Sequence, residues 1–537
     1  MPIIPEMSLL RGRALRLLSS RCYPHLFCGL FVSALLPAFA SVGMFNSQGD
    51  AEKADAMKAH YDAAGQFARA GDQERAASEY RAFLAEALHR IANGEAVAGN
   101  FEDALQLFDQ ASRFAPHDNG LRLDYARVCL DAEKLTQAKT LAEEATRSDP
   151  KDAQARFLLG SVLFHQEDYR AARVQLEAAL AANSDFKTGY LLGRTYLILH
   201  EEPLARQLFN EMVAGLGDTA LIHIYFGRAY SLMDYPDQAV AEFNKAIAKD
   251  SHAIDAHYYL ALAYLRHDES AGYAKAIPEF QAELKVDPND VRSHYMLGYI
   301  ALKQNRFADA ETELSQAAAL QPQDFNTLVN LAEAYVGENR ASDAEATLRK
   351  AIQIAENGPA HRQTGRAHYL LGRLLMKSGK EQEARQEMAI SARQEDTRGA
   401  SSGPAVEARV ISSSSLAQQE QQDRSGTPAN SAPDERKKVE EFMRQLSPVV
   451  GEGYNYLGAL AAGKQDYSTA LLLFESAFAW NPGLDGLDRN LGMAAFYAKE
   501  YDKVAQPLGR YLESHPDDKT AHSALEDAVK KQSPSKP

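Results

Sequence analysis

The chain has 537 residues, 45% of them hydrophobic, with a single tryptophan and a formal net charge of −15. That length admits three or four ordinary domains or one elongated array, and abundant alanine without long β-branched runs points to an all-α protein. The acidic balance excludes nucleic acid as a general partner, because phosphate contacts need a basic surface, and three cysteines exclude a disulfide framework.

Residues 1–40 stand apart. Arg11, Arg13, Arg16 and Arg21 precede an uncharged, mostly apolar run from Leu26 to Ala40 that ends in Ala38-Phe39-Ala40. Basic, apolar and small-x-small segments in that order predict a secretory signal peptide, and the run is short for a membrane span, which needs about twenty residues. The expectation is an exported protein, periplasmic or secreted, with no stable membrane span once the signal is cleaved. Loss of the segment removes Cys22 and Cys28 and leaves Cys129 on an apolar helical face, where a buried inert thiol is expected. Residues 41–56 read as a lead-in.

From residue 57 the chain repeats. Small residues lie twelve apart and are followed, after twelve more, by proline: Ala92, Ala104 and Pro116; Ala126, Ala138 and Pro150; Gly298, Ala310 and Pro322. The same frame carries Gly160, Gly193, Gly227, Ala261, Ala332 and Gly372, each with its small partner twelve on, except that three added residues in HDESAGYA place Ala276 fifteen after Ala261. Successive first members are 34 apart at most steps, and ENGPAHRQ accounts for six added residues before Gly372. Each unit reads as two amphipathic helices joined by a polar turn. Small residues such as Gly298 and Ala310 are expected to let the two backbones approach, which offsets the cost of about 1 kcal/mol that glycine brings to a helix interior.

This pattern resembles the tetratricopeptide repeat (TPR) family, whose unit is a 34-residue helix-turn-helix. Leu159, Gly160, Leu163, Tyr169, Ala172, Leu176 and Ala179 occupy the family's small and large positions in one unit; Leu457, Gly458, Tyr467, Ala470, Phe474, Ala477 and Pro482 do so in another. The family's usual tryptophan early in the first helix is missing throughout. The resemblance implies stacked repeats over residues 57–394, about nine to ten of them, in a right-handed superhelix with first helices lining a concave groove. By the same resemblance the chain is similar to exported bacterial members of the family.

Residues 395–433, rich in Ser, Gly, Gln and Pro, predict a disordered linker. A helix near ERKKVEEFMRQL follows, then two further repeats at Gly458 and Gly492, so that residues 434–518 form a C-terminal block. The segment KTAHSALEDAVKK within residues 519–537 reads as a capping helix with a tail.

Motifs for catalysis do not emerge. There is no H-E-x-x-H, G-x-S-x-G, phosphate loop or zinc spacing, and histidines look scattered, so no catalytic residue, metal ligand or cofactor site is assigned. A non-enzymatic interaction scaffold is expected. The residues three before and one after each first-helix small position should line the groove: Phe157, Tyr190, Arg194, Arg228, Tyr258, Tyr295, Tyr299, Tyr369 and Arg373. Tyrosine and arginine combine area with directional polar contacts, so the expected partner is a protein or peptide segment. The alternative partner is a glycan, stacked on the tyrosines of an accessory factor for polysaccharide binding or export.

Overall fold

A computed structural model describes residues 48–267, 269–357, 364–395 and 432–532. The signal-peptide expectation and most of the linker expectation fall on residues outside these. The described residues are helical and contain no strand. The helices are α1 (Gln48–Arg69), α2 (Gln73–Val97), α3 (Phe101–Phe114), α4 (Asn119–Asp131), α5 (Leu135–Ser148), α6 (Ala153–His165), α7 (Tyr169–Ala182), α8 (Phe186–Ile198), α9 (Glu202–Leu216), α10 (Ala220–Leu232), α11 (Pro236–Lys249) and α12 (Ala256–His267). They continue with α13 (Glu269–Val286), α14 (Val291–Lys303), α15 (Phe307–Leu320), α16 (Phe325–Gly337), α17 (Ala341–Asn357), α18 (Gly365–Lys377), α19 (Glu381–Glu395), α20 (Ala432–Gly463), α21 (Tyr467–Trp480), α22 (Leu487–Tyr497), α23 (Ala505–Ser514) and α24 (Lys519–Gln532).

The repeat is written into the helix ends. Asp118, Asp152, Asp185, Asp290 and Asp324 cap the first helix of their units, each accepting a backbone N–H of the first turn. At the turn to the second helix the chain enters the left-handed region at Glu133 (φ 59°) and Asn305 (φ 57°), among others. The next N–H then reaches back to a carbonyl of the preceding turn, as Lys134 does to Cys129 and Arg306 to Ala301, both at 2.8 Å. This closure satisfies carbonyls that a helix end would leave open. Gly99 and Gly379 fill the same position without the steric cost that other residues bear there.

Packing within a unit differs from the expected pairing of small residue with small residue. A Cβ placed on Gly298 would lie 2.5 Å from Leu314 Cγ, and one on Gly227 would lie 2.5 Å from the Phe243 ring. The glycine of the first helix is therefore the socket for a large side chain four residues beyond the small position of the second. Ala310 is buried as well, but it is not what the glycine receives.

From Glu269 onward the insertion in HDESAGYA is helical, since α13 starts there and runs eighteen residues. Gly272 permits this: its Cβ would meet the Tyr264 carbonyl oxygen at 2.5 Å, so only glycine lets the first turns of α13 lie against the end of α12.

The chain forms two compact units, one from residues 48–166 and 432–532 and the other from residues 167–395. In the second, helices pack in chain order, and successive first helices also touch, as α8 does α10 and α16 does α18.

The first unit is not contiguous in sequence. Its core joins Phe83, Leu84, Leu88 and Ile91 of α2 to Phe442, Leu446, Val450 and Leu457 of α20. Both are long helices in which a second helix and the following first helix run together. In α2, Ala76 and Ala92 are the small positions of consecutive helices with no break between them. In α20 the ERKKVEEFMRQL segment, expected as a separate helix, continues through Pro448 into the helix of Gly458. Polar contacts fasten the helices flanking α2 to α20: Tyr61 of α1 donates to Glu452 at 2.5 Å, and Tyr454 donates to Gln110 of α3 at 2.9 Å. Tyr80 packs on Tyr456 with ring centroids 4.7 Å apart. Burial raises the carboxyl pKa of Glu452 despite the Tyr61 bond.

Candidate interaction surface

Eight of the nine residues expected in the groove lie in the second unit; Phe157 lies in the first, half-buried on α6. The structure separates those eight by exposure. Tyr258 is 0% exposed, Tyr299 3% and Arg228 4%, so these pack between helices and have almost no surface for a partner. Tyr190, Arg194 and Tyr295 are half-buried, and Tyr369 and Arg373 are exposed.

Tyr190 and Arg194 belong to a larger aromatic cluster. Phe186 and Tyr190 of α8 stack with centroids 5.8 Å apart, and Tyr225 of α10 stands edge-on to both at 5.1 and 5.6 Å. Arg228 sits between Tyr225, at 5.5 Å, and Tyr259 of α12, at 5.3 Å. Burial pushes the Tyr259 phenol up to about 12, so it stays protonated as a neutral ring for the guanidinium. Phe186, Tyr225 and Tyr259 did not stand out in the sequence, because they lie seven or two residues before their small positions, outside those expected to line the groove.

Further along, Tyr295 and Tyr299 of α14 stack at 6.5 Å, and the Tyr295 hydroxyl accepts from Asn330 Nδ2 of α16 at 3.0 Å. Arg292 lies 4.3 Å over Tyr258 and pairs with Asp255 and Asp290. Burial opposes its charge, but the two carboxylates outweigh it and raise the guanidinium pKa. Arg366 pairs with Glu333.

The histidines are not scattered. His223, His257, His294 and His368 each stand four residues before the small position of a first helix, as His60 does in the first unit. Each Nδ1–H donates to a glutamate on the following second helix at 2.6–2.7 Å: Glu242, Glu279, Glu313, Glu387 and, for His60, Glu79. These are bridges inside the repeat, and their common place in the frame was the signal available in sequence. Among the described residues no group of three or more His, Cys, Asp or Glu side chains could hold a metal ion. Cys129 is buried, which pushes its thiol up to about 12 and keeps it unreactive. No helix among the described residues is long and apolar enough to cross a membrane.

A solenoid of helical hairpins whose first helices pack side by side is the architecture of repeat interaction proteins. Family models described as tetratricopeptide repeat match residues 98–162, 267–325 and 295–359, so the chain carries TPR repeats. Among curated relatives it is 25% identical over 335 residues to mouse (Mus musculus) Superkiller complex protein 3, covering 54% of this chain and 21% of that protein. It is 24% identical over 259 residues to cellulose synthase operon protein C of Xanthomonas axonopodis pv. citri (strain 306), covering 45% and 17%. The chain thus spans less than a third of the length of these relatives. Among solved structures, MamA from Desulfovibrio magneticus RS-1 is similar at 18% identity and a TM-score of 0.31, covering 34% of this chain and 99% of MamA.

Proposed function

We propose that the protein is an exported, non-enzymatic scaffold whose second unit binds segments of partner proteins along its first-helix face. The observation that carries this is the clustering there of Phe186, Tyr190 and Tyr225, half-buried rings with adjoining arginines, the composition enriched where proteins bind one another. Affinity capture with the full chain, with and without the four substitutions Tyr190→Ala, Arg194→Ala, Tyr295→Ala and Tyr369→Ala, tests it. Partners should be lost from the substituted chain while its helical content is kept. Recovery of the same partners by both chains would sink the proposal.

A second reading, an accessory factor for polysaccharide binding or export, draws on the similarity to cellulose synthase operon protein C. The ring geometry favours the first. Sugars stack on open ring faces, whereas Phe186 and Tyr190 occupy each other's faces and cations cover others.

A further inference from the structure

The six first helices of the second unit that begin with α8 and end with α18 carry nine lysines and arginines and one carboxylate, Glu333. The seven second helices of the same unit carry eighteen carboxylates and eleven cations. In a chain of net charge −15, the first-helix layer therefore carries a net positive charge because carboxylates are nearly excluded from it. Glu333 is paired with Arg366, and Arg292 is paired with Asp255 and Asp290, which precede the first helices.

Several of these cations are held in place by a ring one turn away on the same helix. Arg194 lies 5.9 Å over Tyr190, Lys303 lies 4.9 Å over Tyr299 and Arg373 lies 5.6 Å over Tyr369, each pair spaced i, i+4. A cation laid on an aromatic face loses rotamer freedom before any ligand arrives. Lys303 and Arg373 are exposed and Arg194 is half-buried, so all three can be reached. Lys187 and Lys377 add exposed charge at the two ends of the row.

We infer that this row of ring-backed cations reads an acidic polypeptide segment, one rich in Asp and Glu side chains, laid across the first helices of the second unit. This rests on the partner-binding reading above and adds the chemistry of the partner. Charge complementarity is the argument: a guanidinium fork suits a carboxylate, and the acidic second helices repel such a segment from the other layer. A neutral glycan would gain nothing from the cations and would find the ring faces covered.

The test is binding of a fluorescein-labelled peptide of alternating Glu and Ser to the full chain, beside its Gln and Ser counterpart and an oligouronate. The expected result is that the acidic peptide binds and weakens steeply as salt is raised, and that the Gln peptide binds about tenfold or more weakly. Combined Arg194→Gln, Lys303→Gln and Arg373→Gln should cost a similar factor, with circular dichroism unchanged. Arg385→Gln on the second-helix layer should change nothing. Equal binding of the Gln peptide, lost on Tyr190→Ala, would overturn the acidic preference and leave the partner-binding reading standing. Binding of the oligouronate with none of the acidic peptide would also overturn the proposal, since it would assign the row to a different ligand. Failure of the partner-binding reading itself is seen separately, in capture that ignores the first-helix substitutions.

Discussion

The two units are made of the same repeat and hold together in different ways. In the second unit each hairpin packs on its neighbours in chain order, so stability is a sum of local terms and every interface is close in sequence. The first unit has its centre where α2 meets α20, two helices more than three hundred residues apart in the chain. Its integrity depends on a contact that closes a very long loop, and the entropy of that closure grows only slowly with length. A repeat architecture is therefore not bound to sequential assembly: where turns between hairpins are lost and helices fuse, as in α2 and α20, a block from elsewhere in the chain can complete the stack.

The largest test of this contrast removes residues 432–532. Amides of α2 and α3 should lose hydrogen-exchange protection, because half of their core goes with the deletion, while those of α14–α16 keep theirs. Protection of α2 retained in the truncated chain would show that the N-terminal hairpins fold by themselves.

Next in size is Gly227→Ala in the second unit. The added carbon would lie 2.5 Å from the Phe243 ring, and overpacking of this kind costs about 1–3 kcal/mol, partly offset by alanine's helix propensity. Gly215→Ala in α9, where nothing lies within 4 Å of the added carbon, should instead stabilise by a few tenths to about 1 kcal/mol. Urea denaturation followed by circular dichroism distinguishes them, and a change of equal sign at both sites would contradict the socket role of Gly227.

A smaller effect is expected of the histidine bridges. A double-mutant cycle on His294 and Glu313 should give a coupling of about 1 kcal/mol, the ordinary net value of an intramolecular hydrogen bond. No coupling would reduce the bridge to a surface contact.

The smallest concerns the fastening of the first unit. Glu452 has its pKa raised by burial, so the folded state binds a proton more tightly than the unfolded chain. This contribution to stability is fully present below the unfolded value near 4.5 and fades as pH rises through the folded value. Glu452→Gln can still accept from Tyr61 and carries no buried charge, so it should raise the urea midpoint at pH 7 by more than at pH 4. The opposite order would show that the carboxylate is stabilised where it sits.

Much of the architecture was legible in the sequence because the frame is local. Small residues at intervals of 34 placed the first helices, and the polar turns placed the breaks between them. The histidine bridges obeyed the same frame and were legible in principle. What the frame could not show was which of the groove positions stay open. Tyr258 and Tyr299 occupy the same frame positions as exposed Tyr369 and Arg373, yet both are buried, Tyr258 beneath Arg292 of the next first helix. Periodicity names a direction on one helix, whereas burial depends on what the next helix brings.

The sequence by itself determined the helical hairpin, its period and the near-exclusion of carboxylates from the first helices of the second unit, since each follows from residues within a turn or two of one another. The tertiary structure alone decided that the C-terminal repeats complete the core of the N-terminal ones. Apolar faces such as those of Phe83 and Phe442 fit many partners, and which pair meets is settled by shape and by a few polar contacts such as Tyr61 with Glu452.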